Sequence, residues 1–135
     1  MKIYFCCSVR GVRNNPETLK LLTDHLKGWG TVLTEHLAHV TEEFEAGISE
    51  AEIFQRDVAW LNEADVVVAE VTGPSLGVGY EIGIAETMGK PVLCLHRDTG
   101  KKISAMILGN PGLTVKSYGE LSEAYEQIDE FLSFI

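Results

Sequence analysis

The 135-residue chain has three cysteines, Cys6, Cys7 and Cys94, and no C-x-x-C pair among them. An odd count at that spacing excludes a disulfide framework and a zinc-ribbon site, and predicts reduced, buried thiols. Prolines are few, at four, so no Pro-rich linker divides the chain. Basic residues are also scarce. Eleven Lys and Arg stand against twenty Asp and Glu, a net charge of −9. That balance disfavours a nucleic-acid backbone as partner, while a small phosphorylated ligand is still admissible where cations gather locally. No apolar run approaches membrane-spanning length, and from the strand-like start at Met1 no secretory leader is expected. A cytoplasmic protein is expected, and nothing in the sequence excludes the nucleus. His25, His36, His39 and His96 have no ligand spacing, so neither metal nor organic cofactor is expected.

What the chain does have is alternation. Met1–Cys6, Thr31–Thr34, Asp65–Glu70, Pro91–His96 and Leu113–Ser117 read as strands. Between them lie amphipathic stretches with start signals. Asn15-Pro16-Glu17 opens a helix to Trp29, and Ser49-x-x-Glu52 is a capping box for a helix to Glu63. Further helices are expected at Tyr80–Met88, Ile103–Leu108 and Glu120–Phe134, with loops at 36–47 and 72–79. Strand–helix alternation predicts one α/β domain over residues 1–135, flavodoxin- or Rossmann-like, with a five-stranded parallel sheet and helices on both faces. Ligands of such sheets sit beyond the strand C-termini, so chemistry is expected in the loops after strands one and three.

The first of these loops, Cys7-Ser8-Val9-Arg10-Gly11, offers backbone N–H groups, a hydroxyl, a guanidinium and a glycine. Those donors suit a phosphate, though an ordinary turn with a surface arginine has the same composition. The second, Pro74–Glu81, sets Ser75, Gly77 and Gly79 before a helix start. Its glycines admit a ligand close to the backbone. Glu81 is expected in the first helical turn, where the helix dipole would favour the carboxylate. Asp57 falls within the apolar stripe of Trp60, Leu61 and Ala64, and burial there would raise its pKa. Two carboxyls pushed in opposite directions would make the acid and nucleophile of a retaining glycoside cleavage. Tyr4, on strand one, could reach a carboxylate at the sheet edge, or serve only as core. Ser104 reads as a helix N-cap.

The stretches KIYFCCSVRG (2–11), TVLTEH (31–36), D-x-x-W-L-x-x-ADVVVAEVT (57–72), PSLGVGYE (74–81), GKPVLCL (89–95) and SAMI (104–107) together resemble the 2′-deoxynucleoside 5′-phosphate N-hydrolase family, within the nucleoside 2-deoxyribosyltransferase superfamily. The resemblance implies hydrolysis of a deoxynucleoside monophosphate to free base and 2-deoxyribose 5-phosphate. It implies Glu81 as nucleophile at C1′, Asp57 as the acid that assists base departure and orients water, and Tyr4 as the group that hydrogen-bonds the nucleophile and crowds the sugar. Ser8, Val9, Arg10, Gly11, Ser75 and Gly77 fall on the phosphate-binding positions. Ser104 matches a serine delivered from the partner subunit, which implies a homodimer with shared sites. Cys7 departs from the pattern, since the family usually has glycine there. Two alternatives compete with the hydrolase: a deoxyribosyltransferase, and a flavodoxin-like nucleotide-binding module without catalysis.

Overall fold

The computed structural model describes residues 1–8, 15–38 and 47–135. Its five strands are β1 (Lys2–Cys6), β2 (Thr31–Val32), β3 (Val66–Glu70), β4 (Val92–Arg97) and β5 (Thr114–Tyr118). They form one parallel sheet in the order β2-β1-β3-β4-β5. The helices are α1 (Pro16–Lys27), α2 (Glu50–Glu63), α3 (Leu76–Thr87), α4 (Ala105–Leu108) and α5 (Leu121–Leu132), with a short 3-10 turn at Glu35–Ala38.

Alternation along β1 assigns the two faces. Ile3 and Phe5 pack with Leu19, Leu22 and Leu26 of α1 and with Ala124, Ile128 and Leu132 of α5. Tyr4 and Cys6 point the other way, toward Leu61 of α2 and Val78, Ile82 and Ala85 of α3. Strand β3 is buried at every position, as a central strand covered on both faces must be. All three cysteines are buried, and none is in a disulfide.

The expected caps form. Asn15 Oδ1 accepts from Glu17 N at 2.9 Å. Ser49 Oγ accepts from Glu52 N at 3.1 Å and donates to Glu52 Oε1 at 3.0 Å. Two boundaries differ from the sequence reading. Strand β2 stops at Val32, because Thr34 turns its side chain into the sheet. Its Oγ1 accepts from Phe5 N at 3.0 Å and donates to Phe5 O at 2.8 Å, replacing strand pairing with a side chain. Helix α3 starts at Leu76, not Tyr80. Glycines 77 and 79 are poor helix formers, so the stretch reads as loop, but the Ser75 cap and the packing of Val78 on the core carry the helix through them.

In the order 2-1-3-4-5 the direction of winding reverses between β1 and β3. The segments leaving those two strands are therefore neighbours, and the site is built there.

Candidate active site

Glu81 lies in the second turn of α3, one turn further from the helix N-terminus than its sequence setting suggests. That distance weakens the helix dipole, whose effect fades beyond the first turn. The pKa of Glu81 is raised from 4.5 to about 7, the reverse of the lowering expected from a helix start. Burial of the carboxyl against the Tyr4–Cys6 face is the largest cause, and the Asp57 charge adds to it. The Cys6 thiol, the Tyr4 hydroxyl and the Arg56 charge oppose it without overcoming it. Burial outweighs the donors because neutralising a carboxyl removes its whole desolvation cost, whereas each donor restores part of it.

Tyr4 is fully buried behind Glu81. Its hydroxyl is close enough to favour the carboxylate, yet makes no hydrogen bond of full geometry among the described residues. Burial, then Glu81, pushes the Tyr4 hydroxyl far above its usual range, so it stays protonated.

In front of Glu81 opens a cleft of about 1300 Å³, lined among others by Cys7, Asp57, Ser75, Gly77 and Ser104. Asp57 thus meets Glu81 across one space, although it sits on a different helix. Its side chain is only 18% exposed, and Oδ1 accepts from Arg56 Nε at 2.8 Å. Gly77 separates Ser75 from Glu81. A Cβ at residue 77 would lie 3.9 Å from Glu81 Oε1 and 4.0 Å from Ser75 Oγ, so the missing side chain leaves a gap bounded by both. Ser75 Oγ also caps α3, accepting from Val78 N at 3.3 Å. Ser8, at the end of β1, is buried and its hydroxyl has no partner among the described residues. Val9, Arg10 and Gly11 lie outside the described residues. Ser104 caps α4, with Oγ accepting from Met106 N at 3.2 Å, and borders the same cleft.

Three features escaped the sequence reading. Arg56 was passed over although its spacing to Trp60 is that of helical neighbours, and its guanidinium lies 5.0 Å from the Trp60 ring centroid. Cys6 was read as inert core, yet its thiol favours the Glu81 carboxylate. Glu70, the last residue of β3, has no sequence signal for a further role. It is buried, accepting from Tyr118 Oη at 2.5 Å and from Thr72 N at 2.6 Å. Thr72 Oγ1 in turn accepts from Arg97 N at 2.8 Å. This network anchors the segment that leads to Ser75 and α3. Among the described residues no cluster of three or more His, Cys, Asp or Glu side chains could hold a metal.

Two carboxyls of unlike environment facing one cleft at the switch point of a doubly wound sheet define a site equipped for glycosidic-bond chemistry. Residues 3–124 match the model of the nucleoside 2-deoxyribosyltransferase family, and the chain belongs to that family. It is 48% identical over 98% of its length to a Trichoplax adhaerens protein provisionally named 2′-deoxynucleoside 5′-phosphate N-hydrolase 1, covering 89% of that protein. A Tetraodon nigroviridis 5-hydroxymethyl-dUMP N-hydrolase is 42% identical, with 98% of each chain covered. The fold is shared with a Clostridium botulinum CMP N-glycosidase at a TM-score of 0.67 and 16% identity, covering 96% of this chain and 99% of that one.

Proposed function

We propose that the chain hydrolyses the N-glycosidic bond of 2′-deoxynucleoside 5′-monophosphates, releasing the free base and 2-deoxyribose 5-phosphate. The observation that carries this reading is the convergence of Glu81 and Asp57 on the cleft that Ser75 and Gly77 also line. The Glu81 carboxylate attacks C1′ while the bond to the base breaks. The base leaves with a proton supplied by Asp57, and a deoxyribosyl ester of Glu81 is the intermediate. Asp57, now ionised, takes a proton from water as the water attacks C1′, and Glu81 is released as carboxylate.

Tyr4 and Cys6 back the nucleophile from behind, so Glu81 can change charge without leaving its place. Ser8, Val9, Arg10 and Gly11 of the first loop, with Ser75 and Gly77 of the second, hold the phosphate, which places the sugar for attack. No metal or organic cofactor enters the scheme. Among the described residues no helix is long and apolar enough to cross a membrane. The cytoplasm is the proposed setting, and the nucleus is open to the same chemistry.

The proposed assembly is a homodimer in which Ser104, which borders the cleft of its own subunit, also reaches the phosphate in the partner subunit's site. Support comes from α3, which is apolar on both sides. One side packs on the core, while Leu76 is 97% exposed and Tyr80 62%, with Gly79 and Gly83 on the same face. A helix with an apolar patch away from the core has a second surface to cover, and glycines let another helix approach closely.

The decisive experiment incubates the protein with a panel of deoxy- and ribonucleoside monophosphates and follows base release by chromatography. Adding a second free base separates hydrolase from transferase, because a transferase would form a new nucleotide. Base release without exchange is the expected result. Exchange, or no release from any member of the panel, would overturn the reading.

A further inference from the structure

The geometry points to Arg56 as a positioning residue for the reaction, acting through Asp57 and itself held in place by Trp60. The inference rests on the hydrolase reading above and adds to it how the acid is aimed.

Adjacent residues on a helix diverge, so Arg56 and Asp57 have no reason of backbone geometry to meet. They meet because the Arg56 guanidinium lies over the Trp60 ring, 5.0 Å from its centroid, at the helical spacing where side chains do touch. From that platform the Nε edge turns to Asp57 Oδ1 at 2.8 Å. Trp60 is braced in turn: the His36 ring meets it edge-on, with centroids 5.1 Å apart, and its other side packs on the core that includes Leu61. Arg56 and Asp57 are only 20% and 18% exposed, so water competes weakly for this charge-assisted bond.

Two consequences follow for the chemistry. Tethering Asp57 by one oxygen limits the rotamers in which it presents its carboxyl to the cleft. An acid that must first protonate a base and then take a proton from water serves both steps only if it stays in one place. The Arg56 charge also favours the ionised form of Glu81, as the attacking step requires. Arg56 is not among the described residues that line the cleft, so it acts through Asp57 and Glu81 and not by contact with the substrate.

The test uses the nucleotide that the wild-type protein turns over fastest. Arg56→Met is expected to lower kcat by roughly 10- to 100-fold, the scale of a misplaced acid–base group, with KM changed less than about threefold. Arg56→Lys should not rescue, since an ammonium lacks both the flat surface for Trp60 and the Nε edge for Asp57. Trp60→Phe, which keeps a ring platform, should retain most of the activity, and Trp60→Leu should fall like Arg56→Met. The double variant Arg56→Met, Asp57→Asn should lose clearly less than the product of the two single losses. Binding of inorganic phosphate, measured calorimetrically, should be unchanged in every variant and serves as the control for folding. Wild-type kcat in Arg56→Met, or losses at 56 and 57 that multiply in full, would overturn the role of Arg56 and leave the hydrolase standing. Normal turnover by Asp57→Asn would instead bring down the assignment of Asp57, and this inference with it.

Discussion

The Tyr118 hydroxyl donates to Glu70 Oε2 at 2.5 Å, joining the end of β5 to the end of β3 inside the protein. Between these strands stands β4, whose Arg97 N reaches Thr72 Oγ1 and whose guanidinium, through NH2, donates to Thr18 Oγ1 of α1 at 2.9 Å. The bond is thus one member of a largely buried network that ties the segment after β3, and helix α1, to the sheet. Tyr118→Phe removes a donor from a buried acceptor, Glu70 Oε2, so a loss of about 1–3 kcal/mol in urea-unfolding stability is expected. An unchanged unfolding midpoint would show that Glu70 finds another donor at no cost.

Glu81 sets the pH response. With its pKa raised to about 7, the attacking carboxylate forms only as pH rises toward neutrality, so kcat/KM should climb on an acid limb near pH 7. Tyr4, Cys6, Asp57 and Arg56 are the titratable or charged groups that act on it. The sign for stability is opposite. The folded protein holds this proton more tightly than the unfolded chain, so folding stability declines between pH 4.5 and about 7 as the proton is lost. Glu81→Gln should therefore gain stability over wild type at pH 8 and show little difference at pH 4, as read by thermal unfolding at the two pH values.

Removing the nucleophile tests the chemistry directly. Glu81→Ala should lose at least ~100-fold in turnover, as expected of a covalent catalyst. Mass spectrometry of quenched wild-type reactions should show a deoxyribosyl phosphate adduct on the peptide containing Glu81, and the variant should show none.

Gly77→Ala separates stability from function. The added methyl makes only ordinary contacts, 3.9 Å from Glu81 Oε1 and 4.0 Å from Ser75 Oγ. Replacing a helical glycine should then stabilise by up to about 1 kcal/mol. The same methyl fills the gap between hydroxyl and carboxylate, so KM for the nucleotide should rise. Gain in melting temperature with loss of apparent affinity is the expected pairing, and unchanged KM would place the phosphate elsewhere.

Tyr80→Asp places a charge on the exposed apolar face of α3. If this face joins two copies, sedimentation should show the variant as monomer and wild type as dimer; Tyr80 also lines the cleft, so the oligomeric state is the readout. A monomeric wild type would remove the shared Ser104 from the scheme.

Much of this was legible in the chain. The apolar runs and their spacing gave five strands and a parallel sheet, because central strands buried on both faces leave little room for other patterns. Asp57 stood out for the same reason, as a charge within an apolar stripe. The start of α3 was hidden by Gly77 and Gly79, whose low helix propensity is overruled by a Ser75 cap and by packing of Val78. With that boundary went the pKa of Glu81: a first-turn acid is stabilised by the dipole, a second-turn acid pressed on Tyr4 and Cys6 is not. Arg56 was out of reach for a different cause. Its partner is a sequence neighbour that helix geometry points away, and only the Trp60 ring brings the two together.

The brevity of β2 carries a consequence for solubility. This strand is two residues long at the rim of the sheet, and beyond it the hydroxyl of Thr34 occupies both the N–H and the carbonyl of Phe5. A foreign strand arriving beyond β2 would find the N–H and carbonyl of Phe5 already taken. The protein thereby guards one border against fibrous growth with a single threonine.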